Sequence, residues 1–478
     1  MNLLVDATLI LRWGPQIPTG IPRIEIAIVR MALERNKNDT RLFCFDRSLK
    51  KFRLLLDDEV EFVERSLATD NRFTPSMAGH LSLRTRFREV RSLYALNPSS
   101  ARETHRLIAQ YLVASPERSG VSYQIAKSLV RARFALTRDW RTALGLANRG
   151  SYDEPLGDPD DNFLISLNTG YISEGFNGIN AFNGLVTLIV YDTIPLDYPE
   201  FVTINPDRFR TAFERFVSAA GDIVCISQAT ADSVRKWCQI LGIGLEGKSI
   251  RVARLTSPLQ ESRDPSTVVP ELAGRKFVAY CSTIEPRKNH YFLLKLWSSL
   301  VREIGVENLP MLVLVGRWGW KYDAVEKLLH DDEVLNRSVK LYSYLPDGQL
   351  IWVYQNAQYT VFPSVAEGWG LGAAESLDFG TPVIIADAAA LREATRGLMP
   401  VFRFDDEDGW KAIIRELALN PAALAALQRL ARDEYPLGSH GDDLGAMLDS
   451  MKETGFHRKL RTQAASPTGD SATRRASS

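Results

Sequence analysis

The chain has 478 residues, 45% hydrophobic and 24% charged, which is enough for two or three domains with buried cores and excludes both a single small binding module and wholesale disorder. Lys and Arg together number 58, as do Asp and Glu, so the balanced charge gives no reason to expect nucleic acid as the main partner. Four scattered cysteines, Cys44, Cys225, Cys238 and Cys281, have neither C-x-x-C spacing nor a nearby His cluster, which argues against a zinc site and for reduced, structural thiols.

The first residues, Met1 to Asp6, lack a basic leader, and no stretch approaches the roughly 18 apolar residues of a bilayer span. A cytoplasmic protein is expected, touching at most a membrane surface. Short β-branched runs then alternate with helix-length amphipathic stretches, the pattern of a parallel sheet with crossover helices. In the first half the predicted strands are Leu3–Val5, Leu42–Phe45, Phe163–Leu167, Val186–Tyr191, Ile223–Ile226 and Ile250–Ala253. A helix is predicted to begin at Pro22, a residue suited to a first helical position, and others cover Asp207–Ala219 and Ala229–Gln239.

Between Leu81 and Gly150 lie thirteen Arg or Lys against four Asp or Glu. We expect a basic, mostly helical insertion over about 75–160. Its cations, interleaved with Phe87, Tyr94, Tyr111, Phe134 and Trp140, suit a solvated face, an anionic membrane surface met through 81–150, or a docking surface for a partner protein. Residues 258–275, rich in Pro, Ser and charge, read as a linker between an N-terminal domain (1–257) and a C-terminal one (276–455). In the second half, strands are predicted at Phe277–Cys281, Met311–Val315, Val339–Tyr342, Tyr359–Phe362 and Val383–Ala386. Helices are predicted at His290–Ile304, Lys321–Leu329, Gln349–Asn356, Ala373–Phe379 and Ala389–Thr395. From 456 to 478 the apolar periodicity disappears, and a disordered basic tail is expected.

Chemistry concentrates in two motifs. Pro363 to Ile384 runs from a strand through a glycine-rich turn into a short helix, with Glu367 before the turn and Glu375 within the helix. Gly368, Gly370 and Gly372 let a ligand approach the backbone, and free amides at the helix start favour a phosphate. The carboxylates suit sugar or ribose hydroxyls. The bland reading is a tight turn with Glu375 complementing the helix dipole. The second motif, Thr283-Ile-Glu285-Pro-Arg287-Lys288-Asn289, follows the first strand of the second half. There a guanidinium fork and an ammonium would neutralise a diphosphate, the alternative being a solvated surface pair.

Together these motifs resemble the retaining nucleotide-sugar glycosyltransferases of family 4, also called glycosyl transferases group 1. Thr19-Gly20-Ile21-Pro22-Arg23, Tyr191-Asp192 and Ile226-Ser227-Gln-Ala-Thr230 extend the similarity into the first half. The resemblance implies an α/β protein of GT-B fold, two Rossmann-like domains facing across a cleft, with the last helix crossing back. It assigns Arg287, Lys288 and Glu367 to catalysis, and Gly370, Leu371, Gly372 and Glu375 to the donor. Gly20 and Asp192 fall on the acceptor or sugar side. It implies a nucleotide-diphosphate sugar as donor substrate, weakly favouring mannose or rhamnose, and a glycan or polyprenyl-linked acceptor, as in surface polysaccharide synthesis. No cofactor or metal is implied.

The sequence departs from the family pattern at four places: Tyr191 replaces a usual His, Ser282 a Gly, Trp369 a Phe, and Gly372 a Pro. Asp158-Pro-Asp160 has a metal-binding D-x-D form but sits in a turn-rich loop. A dinucleotide oxidoreductase is disfavoured because the first strand leads into Asp6-Ala7-Thr8 without G-x-G-x-x-G. A sugar-nucleotide epimerase on the same fold is the nearer alternative.

Overall fold

The computed structural model describes residues 2–13, 20–36, 38–46, 51–67, 109, 112–113, 121–136, 156–172, 182–254, 257, 259, 266–435, 443, 445–449 and 451. In the N-terminal domain the main elements are β1 (Leu3–Asp6), α1 (Thr8–Trp13), α2 (Ile21–Asn36), β2 (Thr40–Asp46), β3 (Lys51–Leu54), α3 (Asp57–Leu67) and α4 (Val121–Leu136). They are followed by β4 (Asn162–Ser166), β5 (Leu185–Val190), α5 (Pro206–Ala219), β6 (Asp222–Cys225), α6 (Gln228–Leu241) and β7 (Ser249–Val252). The strands form one sheet in the order β3-β2-β1-β4-β5-β6-β7, parallel except for β3.

The C-terminal domain contains β8 (Phe277–Cys281), α7 (His290–Ile304), β9 (Met311–Val315), β10 (Val339–Tyr342), α8 (Asp347–Asn356) and β11 (Thr360–Phe362). It continues with α9 (Leu371–Asp378), β12 (Val383–Ala386), α10 (Ala389–Ala394), β13 (Val401–Phe402), α11 (Glu407–Leu419) and α12 (Pro421–Glu434). Its sheet, β10-β9-β8-β11-β12-β13, is wholly parallel. The apolar runs that predicted the inner strands are buried, as expected of sheets covered on both faces by helices, while the outer strands β7 and β10 are half-buried.

Predicted boundaries shift by small steps with local causes. The helix expected at Lys321–Leu329 begins at Asp323, because Lys321 has φ 51°, outside helical space. The strand expected to reach Ile226 ends at Cys225, since Ser227 turns to cap α6, accepting from the Thr230 amide at 2.9 Å. Gly242, at φ 67°, closes that helix. Six of the elements named above were not anticipated: α1, α3 and the antiparallel edge strand β3 in the first domain, and β13, α11 and α12 in the second.

The domains share an apolar boundary. Trp369, Ala374 and Ala394 of the C-terminal domain belong to the same buried cluster as Ile24, Tyr191 and Ile226 of the N-terminal domain. Met447, Leu448 and Met451 also pack there, so the chain returns to the first domain after α12. Of residues 258–275, Val269 and Leu272 are buried with Phe277 of β8. Most of 75–160 and all of 456–478 lie outside the described residues. Of that basic region, α4 is the long element described; it buries Tyr123 and Ala126 against Ala109.

Candidate active site

In a doubly wound sheet, ligands bind beyond the carboxyl ends of the strands where the winding direction reverses. In the C-terminal sheet that point lies between β8 and β11. The residues after β8 are Ser282 to Asn289, and those after β11 run from Pro363 to Gly370. Both predicted motifs therefore open onto one crevice. A cavity of about 250 Å³ occupies it, and its wall includes Arg287, Lys288, Glu367, Gly370, Leu371, Gly372 and Glu375 with Gly20 and Asp192 from the other domain. All nine sequence-predicted site residues are brought together.

Arg287 and Lys288 lie in a single 3-10 turn opened by Pro286. The turn is pinned to the glycine-rich segment: the Val365 amide donates to the Arg287 carbonyl at 2.8 Å, and Arg287 Nη1 donates to the Ala366 carbonyl at 2.9 Å. Glu367 then closes the group, accepting from Arg287 Nη1 at 2.9 Å and from Lys288 Nζ. Arg287 Nε also lies 2.6 Å from Glu285 Oε1. Burial alone would push the Glu367 carboxyl up, but Lys288 and Arg287 outweigh it and hold the group at about 2. Burial and the adjacent guanidinium draw the Lys288 ammonium down. The result is a charge-compensated cluster that keeps two cations fixed inside the cleft.

Gly370 caps α9 with φ 95° and no side-chain cap, so the first amides of that helix face the cavity without a competing side chain. At Gly372 an added Cβ would stand 2.7 Å from the Phe362 ring and 3.1 Å from the Cys281 carbonyl. Packing therefore excludes any larger residue there. Glu375, one turn further, is buried and accepts from Ser257 Oγ and Tyr354 Oη, both at 2.9 Å. Burial raises its pKa, against the opposing charge of Arg23.

On the opposite wall Asp192 has two roles the sequence left open. Its Oδ1 accepts from the Ile194 amide at 3.0 Å as a turn residue does, and it also lines the cleft. Burial raises its carboxyl, while Arg287 pulls it down. Tyr191, in place of a usual His, has its phenol held protonated by burial and by the charges of Glu25 and Asp6. Ser282 Oγ lies 3.4 Å from His290 Nε2, and burial together with Lys288 pushes His290 down to about 3, leaving it neutral. Sequence reasoning missed Arg23 and Arg317, which also line the cavity. Arg23 was quoted only as part of a glycine loop, and Arg317 stacks over Trp13 of the other domain, 4.1 Å from the ring centre, a contact no local spacing reveals. The Asp158 and Asp160 pair does not line the cavity; the Asp161 amide donates to the Asp158 carbonyl at 3.0 Å in a turn.

Comparison with known proteins agrees with this geometry. Residues 266–432 match the family described as glycosyl transferases group 1. The chain is 27% identical over 259 residues to the serotype-specific mannosyltransferase WbdA of Escherichia coli, covering 50% of this chain and 31% of that protein. It is 24% identical over 243 residues to the O-antigen chain mannosyltransferase RfbU of Salmonella typhimurium, covering 50% of this chain and 62% of that one. It thus spans between about a third and under two thirds of these relatives' lengths. Among solved structures it resembles sucrose-phosphate synthase from Thermosynechococcus elongatus, with TM-score 0.54, 14% identity, and 98% and 100% of the two chains covered. It also resembles α,α-trehalose 6-phosphate synthase from Burkholderia multivorans, with TM-score 0.51, 12% identity and 99% of each chain covered. The likeness in structure fixes the fold alone: the chain has the GT-B architecture, and its residues 266–432 match the glycosyl transferases group 1 family.

Proposed function

We propose that this protein is a retaining glycosyltransferase that moves a hexose or deoxyhexose from a nucleotide-diphosphate sugar to a glycan or lipid-linked glycan. The observation that carries the reading is the convergence of Arg287, Lys288, Glu367 and the α9 amides at the switch point of the C-terminal sheet. The donor sugar proposed is mannose or rhamnose, supported by the likeness to a serotype-specific mannosyltransferase and an O-antigen chain mannosyltransferase. Surface polysaccharide synthesis is the matching role.

Breaking the bond from the anomeric carbon to the phosphate oxygen leaves positive charge on the sugar and negative charge on the departing diphosphate. Arg287 and Lys288 stabilise that anion, and fixed charges in a cleft shielded from water do so with no reorganisation at the moment of reaction. Glu367 is their counter-ion within the protein. When the diphosphate takes that place, the carboxylate turns to the sugar hydroxyls. Glu375, fixed by Ser257 and Tyr354, accepts from the ribose. Asp192 orients the reacting sugar or the acceptor, whose hydroxyl attacks from the face the phosphate leaves and gives its proton to a phosphate oxygen. Two protein cations already meet the diphosphate charge, so turnover is proposed to need no metal and to persist in chelator.

A second reading concerns location. On α4, Val121, Ile125 and Leu129 are 77%, 55% and 65% exposed at a four-residue spacing, within a stretch that also holds Lys127, Arg131 and Arg133. An apolar stripe on a basic helix suits an anionic lipid surface, where a lipid-linked acceptor would be presented. Among the described residues no helix is long and apolar enough to cross a membrane.

The test is a thermal-shift and calorimetric panel of UDP, GDP and dTDP with their sugar nucleotides, since a ligand of the folded state raises the melting temperature. At least one nucleoside diphosphate should bind, and Lys288→Ala should abolish that binding. No binding by any of them would overturn the proposal.

A further inference from the structure

The donor loop is held from the wrong side for a self-contained donor domain. Glu367 and Gly370 belong to the C-terminal domain, yet the residue between them, Gly368, is gripped by the N-terminal one. Ser227 Oγ donates to the Gly368 carbonyl at 2.6 Å, and Thr230 Oγ1 lies 3.1 Å from the same oxygen. Both hydroxyls sit in the first turn of α6 and are buried. Gly368 is pressed on the Tyr191 backbone and the Asp192 side chain: an added Cβ would stand 2.2 Å from the Tyr191 carbonyl oxygen and 3.2 Å from the Asp192 Cβ. The next side chain, Trp369, is buried in the cluster that contains Tyr191 and Ile226. Across the same boundary Glu393 accepts from the Gln228 and Ala229 amides at 3.0 and 3.2 Å, fixing the start of α6 against α10.

We infer that Ser227 and Thr230 are positioning residues for the donor site: by holding the Gly368 carbonyl, they set the loop so that the neighbouring Glu367 carboxylate meets the donor sugar only when the two domains are together. The inference rests on the glycosyltransferase reading of the cleft. Neither hydroxyl touches the diphosphate cations, since Arg287 and Lys288 are fixed within their own domain by the Val365, Ala366 and Tyr280 contacts. Nucleoside diphosphate binding and sugar transfer should therefore separate. A loop free to drift by an ångström loses about 10²-fold in rate, while the diphosphate still finds both cations.

The experiment compares the wild type with Ser227→Ala/Thr230→Val, Thr230→Val and Ser227→Thr. Three quantities are measured on the full chain: calorimetric Kd for UDP, GDP or dTDP, whichever the wild type binds; kcat for transfer of the matching sugar nucleotide to water; and Tm. Ser227 also caps α6, so its loss lowers stability on its own, typically by about 1 kcal/mol. Thr230→Val keeps that cap, and Ser227→Thr keeps both cap and hydroxyl. The expected result is a kcat lowered about 10²-fold in the double variant, an intermediate loss in Thr230→Val, a nucleoside diphosphate Kd close to wild type, and recovery in Ser227→Thr. A double variant with wild-type kcat overturns the inference. So does one whose Kd weakens in step with kcat, because that marks general damage to the fold. A wild type that binds none of the three diphosphates instead overturns the reading of the cleft on which this rests.

Discussion

Arg23 of α2 and Asp347 at the start of α8 come from different domains and form a buried ion pair, Nη2 to Oδ1 at 2.8 Å, beside the donor cleft. Asp347→Ala removes the counter-charge from a guanidinium that is 8% exposed. Breaking such a pair typically costs about 3 kcal/mol or more, because a buried guanidinium loses a hydrogen-bonded counter-charge. Urea unfolding should show that loss. Asp347→Asn, which keeps a hydrogen-bond acceptor, should recover a part of it.

Glu367→Gln should separate affinity from turnover. The carboxylate neutralises both Arg287 and Lys288. Without its charge the two cations attract a diphosphate more strongly, so the nucleoside diphosphate should bind about tenfold tighter, equivalent to roughly 1.4 kcal/mol. Transfer should fall about 10² to 10³-fold, as it does when one aligned polar contact to a transition state is removed. Calorimetry and product release measure the two effects. A variant weaker in both would contradict the role of counter-ion.

The same carboxylate predicts an acid limb. Its folded value of about 2 lies below its ordinary 4.5, so its pairing stabilises the protein fully above pH 4.5. That contribution is lost as pH falls from 4.5 towards 2, because the unfolded chain takes up the proton first. The stability gap between wild type and Glu367→Gln should be flat from pH 7 to 5 and shrink below 4.5. Chemical denaturation at several pH values measures it.

The second domain was more legible than the first because its strands are continuous apolar runs and its site motifs are local. Phe277–Cys281, Met311–Val315 and Val383–Ala386 were predicted with their observed limits. β3 was missed because its central residue is Arg53, a buried guanidinium that answers Asp46 and Glu59 at 2.7 to 2.9 Å and so breaks the apolar pattern of a strand. The site residues were legible as types but not as partners. Nothing in the spacing shows that Glu367 sits against Arg287 and Lys288, 80 and 79 residues away. Nor does it show that Ser257, before the second domain, anchors Glu375. The first contact depends on which strands of one sheet are neighbours and the second on how the two domains meet, and local periodicity encodes neither.

Gly370→Ala should damage the site through the backbone. At φ 95° an L-residue is strained, and its Cβ would stand 2.7 Å from Leu391 Cδ2. The left-handed conformation alone costs about 1 to 2 kcal/mol. The strain lies at the start of α9, so the amides facing the diphosphate shift as well. Both Tm and nucleoside diphosphate affinity should fall, in contrast to Glu367→Gln, where affinity rises. Equal affinity in wild type and Gly370→Ala would remove α9 from the donor site.

The stripe on α4 gives the location reading its own test. Burying one such aliphatic side chain in an apolar phase is worth roughly 1.5 to 3 kcal/mol, so Val121, Ile125 and Leu129 together outweigh any single ionic contact with a headgroup. The wild type should sediment with phosphatidylglycerol-containing vesicles at low salt. Retention should fall at high salt as the attraction of the basic residues for the headgroups is screened. Val121→Ser/Ile125→Ser/Leu129→Ser should stay in the supernatant at both salt concentrations while keeping wild-type nucleoside diphosphate affinity, because Val121, Ile125 and Leu129 are exposed and do not line the cleft. Equal sedimentation of the wild type and the triple variant would show that charge alone governs the contact, and a wild type that never sediments would end the membrane reading while leaving the donor site untouched.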